Sequence, residues 1–134
     1  MTYWIVPCNT KYYDVFGAFE KSQIIDWKQT NPNIDAGDQI FIYVGAPVKA
    51  IAFRCKVLEA NLKERAIDDS EFALNADQYV NAPLHMRIKL VSKYENNILS
   101  YDTMQSHGEK GSIMCQRRMG EGLIKFVETI DSTQ

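Results

Sequence analysis

Two stretches constrain this chain more than any others: "QIFIYVG" at 39–45 and "AIAFRCKVLEA" at 50–60. In the first, Ile40, Ile42 and Val44 share one face by the two-residue period of a strand, and Phe41 and Tyr43 share the other. A strand that is apolar on both faces must be covered on both, which puts it in the middle of a sheet. In the second, Ile51, Phe53, Cys55 and Val57 alternate against Arg54 and Lys56. The residues between them, "APVK" at 46–49, read as a turn, so 39–58 is expected to pair as an antiparallel hairpin. "DAGD" at 35–38 is the turn that launches it.

The remaining segments are shorter and more mixed. "TYWIVP" at 2–7 is a strand ended by Pro7. "YYDVFGAFEKSQII" at 12–25 carries a short helix with Val15, Ala18, Phe19 and Ile24 turned inward, weakened by Gly17. "DWKQTN" at 26–31 reads as a polar loop around Trp27, followed by the breakers Pro32 and Asn33. Residues 61–80 are charged and weakly patterned, as expected of a surface insertion with a helical turn or two. "APLHMRIKLVSKYE" returns to strand, with Leu84, Met86, Ile88 and Leu90 on one side and His85, Arg87 and Lys89 on the polar side. "YDTMQSHGEKGS" is a loop or short helix ending at glycines. "GEGLIKFVETI" spaces Leu123, Phe126 or Val127, and Ile130 as an amphipathic helix. About five strands in mixed order with two or three short helices imply an α+β fold, a small curved sheet or partly open barrel. At 134 residues the whole chain, 1–134, is expected to be one domain.

Several function classes are disfavoured. A net charge of −2 does not supply a broad basic face for coating nucleic acid, although a small basic patch remains compatible with it. Cys8, Cys55 and Cys115 are dispersed and odd in number, which fits neither a disulfide framework nor a zinc site. Free thiols and a start without a basic, apolar leader point to the cytoplasm. No cofactor motif and no catalytic signature is present. The residues with which an enzyme acting on nucleic acid or a nucleotide-like ligand would work are His107, in "SHGEKG", and Cys115. A protein-interaction domain using 61–80 is a third reading.

"HGEKGS" has two glycines and a lysine but lacks the strand–loop–helix context of a phosphate loop, so a flexible turn is the simpler reading. "CQRR" at 115–118 sets Gln116 beside Arg117 and Arg118, with Lys110 nearby. These residues suit a phosphate, and equally a solvated helix start. Tyr12, Tyr13, Trp27, Phe41 and Tyr43 form an aromatic set, of which Phe41 is expected in the core. Trp27 and Tyr43 differ because each adjoins a polar or glycine-bearing turn, the latter through Gly45 in "YVGAP". A pocket for a nucleobase needs aromatic faces for stacking and amides for the base edge. Trp27, Lys28, Gln29, Asn9 and Tyr43 supply those types, but as residues alone they leave Trp27 equally open to being a core plug.

The order of these features resembles the EVE domain of the PUA-like superfamily, a relative of YTH domains. The matching residues are Tyr3–Trp4, Asn9, Trp27, Gly37–Asp38, Tyr43, Val57–Glu59 and Gln116–Arg118. The resemblance is clear over about 1–60, loose over 84–130 and absent across 61–80. Lys28-Gln29 depart from the arginine and asparagine common after that tryptophan. The resemblance implies a PUA-like pseudobarrel of five or six strands with short flanking helices. It also implies non-catalytic binding of a modified base in DNA or RNA, with Trp27 as a pocket wall. Ligand contacts would come from Asn9, Trp27, Lys28, Gln29, Tyr43, Gly45, Gln116, Arg117 and Arg118. Some members of that family are fused to nucleases or ATPases, which implies a partner of that kind.

Overall fold

The computed structural model describes residues 1–64, 72 and 83–132. In chain order the elements are β1 (Tyr3–Cys8), α1 (Val15–Lys21), β2 (Ile24–Lys28), β3 (Gln39–Val44), β4 (Ala50–Leu62), β5 (His85–Lys93), α2 (Tyr101–Ser106), β6 (Arg117–Arg118) and α3 (Glu121–Ser132). The strands form one mixed sheet of six in the order β2-β5-β4-β3-β1-β6. The class is α+β, as expected. The surface insertion expected over 61–80 lies largely outside the described residues.

β3 is interior to the sheet, and every one of its residues is buried. Its two apolar faces feed two cores. Ile40, Ile42 and Val44 join Trp4, Val6, Phe53, Val57 and the inner face of α1. Phe41 and Tyr43 join Ile5, Met104 of α2, and Leu123 and Val127 of α3. So α1 covers one face of the sheet, and α2 and α3 cover the other.

The hairpin of β3 and β4 is antiparallel as expected, with β4 running on to Leu62. One detail departs from simple alternation. Ile42 faces Phe53, but Tyr43 faces Ile51, so Ala52 is an extra residue on β4. This bulge turns Ile51 away from Phe53 and into the second core with Tyr43.

β1 runs parallel to β3 and does not stop at Pro7 but at Cys8. Proline is tolerated there because β6 pairs only with Trp4 and Ile5, leaving that side of Pro7 without a ladder partner. Trp27 is not in a loop: it lies in β2, opposite Met86 of β5. Its polar neighbours hid the strand, because Asp26 is fully buried and ion-paired to Arg87 at 3.0 Å. His85, expected on a polar face, is buried at the start of β5 beside Lys28.

The Tyr3–Trp4 and Gly37–Asp38 pairs are parts of one joint. The buried Trp4 indole Nε1 donates to Asp38 Oδ2 at 2.9 Å, and the amides of Thr2 and Asp35 also donate to that carboxylate. Gly37 sits at φ 91°, which a side chain disfavours, and its amide donates to the Val57 carbonyl.

Candidate functional site

A cavity of about 510 Å³ opens where the ends of β1, β2 and β3 meet the segment before β6. That volume is in the range of small-ligand sites. From β1 and the turn after it come Cys8, Asn9, Lys11, Tyr12 and Tyr13. The turn is built by Asn9: its carbonyl accepts from the amides of Tyr12 and Tyr13, and its Oδ1 accepts from the Lys11 amide at 2.9 Å. Asn9 therefore lines the cavity and also sets the direction of the three side chains that follow.

β2 contributes Trp27 and Lys28. The Trp27 ring is only 7% exposed and packs edge-on against Tyr13 at 5.1 Å. The choice between plug and wall thus resolves into both roles, since the ring belongs to the first core and still lines the cavity. From β3 comes Tyr43, opposite Ile51 beside the Ala52 bulge, followed by Gly45, whose amide donates to the Cys8 carbonyl at 3.0 Å. The fourth side is Ile113, buried, and Met114, which is 82% exposed.

Five of the nine residues anticipated as ligand contacts are brought together here: Asn9, Trp27, Lys28, Tyr43 and Gly45. The other four line no part of it. Gln29 is buried, with Nε2 donating to the Asn31 carbonyl and to Asn61 Oδ1, and Oε1 accepting from the Asn61 amide. Gln116 is buried as well. Its Oε1 accepts from the amides of Thr30 and Asn31, and its Nε2 donates to the Lys28 carbonyl at 2.8 Å. It therefore ties the segment after Trp27 to the segment before β6. Arg117 reaches Glu109 at 3.4 Å and the Ser112 carbonyl, and Arg118 lies over the Trp4 ring at 5.5 Å. Both arginines belong to a strand rather than a helix start, and their partners hold them away from the cavity.

Sequence reasoning passed over Cys8, Lys11, Ile113 and Met114 as site residues. The signal for Lys11 was available in "NTKYY", where an asparagine-led turn precedes two tyrosines. Ile113 and Met114 gave none, because only the fold carries them across to β1.

Chemically, the cavity offers aromatic rings, an amide and two ammonium groups. Burial pushes the Cys8 thiol up to about 12, with Asp14 adding to the shift and Lys28 opposing it. Cys8 is thus a neutral wall at physiological pH and not a ready nucleophile. Burial likewise raises the Tyr43 hydroxyl, with Tyr101 adding to it. His107 stacks on Phe126 of α3 at 4.0 Å, and Cys115 is exposed; neither lines the cavity. Among the described residues, no group of three His, Cys, Asp or Glu side chains is placed to hold a metal ion. Among them too, no helix is long and apolar enough to cross a membrane.

No protein-family model matches the chain, and no curated protein matches it. Solved structures do. An ASCH protein from Zymomonas mobilis superposes with a TM-score of 0.62 at 9% identity, over 96% of this chain and 95% of that one. A Pseudomonas syringae protein gives 0.66 at 14% identity, over 96% and 98%. A Rhodopseudomonas palustris protein solved by NMR gives 0.64 at 13% identity, over 99% and 94%. The fold is therefore shared end to end with ASCH-type, PUA-like proteins.

Proposed function

We propose that this protein binds one modified base of a nucleic acid strand in the cavity, without catalysis. The observation that carries the reading is the convergence of Trp27, Tyr13 and Tyr43 on one space, with Asn9 and two lysines at its edge. Aromatic faces stack on any base, at about 1–3 kcal/mol each, and an amide reads the base edge. A base must leave its stack to enter such a space, which a single strand or a damaged or modified site permits at lower cost. The PUA-like fold, common to this chain and the ASCH protein, supports nucleic acid as the partner. The resemblance to the EVE domain supports a modified base, and it also supports a nuclease or ATPase acting beside this chain. The absence of a catalytic role is supported by the neutral Cys8 thiol and by the placement of His107 and Cys115 outside the cavity. Three free cysteines suit a reducing cytoplasm.

The test is a binding screen of DNA and RNA oligonucleotides, each with one modified base, against unmodified controls. The reading expects at least one modified strand to bind more tightly than its control. Tyr43→Ala should remove that preference, and Arg118→Ala, outside the cavity, should keep it. Equal binding of every strand, or preference surviving Tyr43→Ala, would overturn it.

A further inference from the structure

The charge of the cavity narrows what it can accept. Its aromatic walls alone would welcome a cation, because ring faces are negative. Sites that exploit this attraction gain from a nearby carboxylate, and among the described residues lining this cavity there is none. The acids adjoining the lining residues in sequence line no part of it, although the charge of Asp14 is felt at Cys8. Asp14 caps α1 by accepting from the Gly17 amide at 3.1 Å, and Asp26 holds Arg87 through both of its oxygens. The ionisable side chains that do line it are the lysines Lys11 and Lys28, the tyrosines Tyr12, Tyr13 and Tyr43, and Cys8; burial raises both the Cys8 thiol and the Tyr43 hydroxyl. Lys28 ends β2 and Lys11 lies in the turn after β1, both exposed, on a cavity whose apolar walls weaken screening.

We infer that the cavity takes an uncharged modified base together with an adjoining backbone phosphate, held by Lys11 and Lys28, and rejects a base that carries a fixed positive charge. This rests on the base-binding reading and adds the sign of the ligand's charge to it. Methylation that leaves a base neutral is accepted. Methylation at a ring nitrogen that makes it cationic is opposed by two like charges, against which the ring faces offer the weaker attraction.

The experiment uses single strands identical except at one base, compared by fluorescence anisotropy. One pair sets N6-methyladenine, neutral, against 1-methyladenine, a cation. The other sets 5-methylcytosine, neutral, against 3-methylcytosine, a cation. The neutral member of at least one pair should bind about tenfold or more tighter. Because ring methylation also alters the base edge, both pairs are repeated with the Lys11→Ala/Lys28→Ala variant, in which both changed side chains are exposed and the fold should be retained. There the neutral strand should bind more weakly and the gap should shrink severalfold. A cationic member binding equally or tighter overturns the inference. So does a gap unchanged in the double variant, which would make shape the filter. Binding to none of the strands overturns the base-binding reading and the inference with it.

Discussion

Trp27 carries two functions in one ring, and they can be separated by mutation. It is 7% exposed, packed on Tyr13, and yet forms a cavity wall. Trp27→Ala should therefore cost about 3 kcal/mol, the low end for a large aromatic truncation, because one side of the ring already borders open space. Trp27→Phe should keep most of the stability and lose stacking area; chemical denaturation and titration measure the two effects. Gln116→Leu removes the acceptor for two amides and the donor to the Lys28 carbonyl. The expected cost is about 1–3 kcal/mol, with faster hydrogen exchange at Thr30 and Asn31. Asp38 sets an acid limit. Burial opposes its ionisation, but the amides of Asp35 and Thr2 and the Trp4 indole outweigh that and hold the carboxyl below its ordinary value. A carboxyl with a lower pKa folded than unfolded stabilises above its unfolded value, about 3.9, and loses that contribution as pH falls through its folded value. Asp38→Asn should flatten the acid arm of the stability curve; an unchanged arm would remove Asp38 from that role. At this scale the sequence revealed residue types better than residue duties. Asn9, Trp27, Lys28, Tyr43 and Gly45 meet in the cavity, whereas Gln29 and Gln116 clamp loops. An amide beside a tryptophan reads the same in sequence whether it bonds a ligand or a backbone.

Elements were legible where alternation was uninterrupted. β3 showed both of its faces, and the hairpin with β4 followed from the short turn between them. The Ala52 bulge could not be read, since a one-residue insertion leaves the apolar pattern intact while moving Ile51 to the other core. β2 was hidden for a different reason: its middle residue, Asp26, is charged, and only the pairing partner Arg87 on β5 makes it buriable. The last helix was legible by its period, but its anchorage was not. Arg54 of β4 donates Nε to Gln39 and Nη2 to the Tyr3 hydroxyl, and it is ion-paired to Asp131 of α3. Tyr94 donates to the same Asp131 carboxylate at 3.0 Å. Arg54→Ala should cost about 3 kcal/mol, as expected for removing one partner of a largely buried pair. The loss should appear as early exchange of α3 amides; uniform weakening of the whole sheet would contradict that placement.

For the whole molecule, closure and cavity have one cause. β2 and β6 are the two edges of the sheet, and no ladder joins them. Gln116, just before β6, bonds to Lys28 at the end of β2 and to the two residues beyond it but one, so the edges are brought round to each other by a side chain. The same curl sets Trp27 opposite the ends of β1 and β3, and the space left between them is the cavity. Base stacking on Trp27 is the central claim, and intrinsic fluorescence tests it directly. The chain has two tryptophans, and Trp4 is 1% exposed and hydrogen-bonded to Asp38, so a ligand reaches only Trp27. Titration with a strand carrying an accepted modified base should quench tryptophan emission saturably, and Trp27→Phe should abolish that quench. Binding with no change in emission, or a quench that persists in Trp27→Phe, would contradict the account.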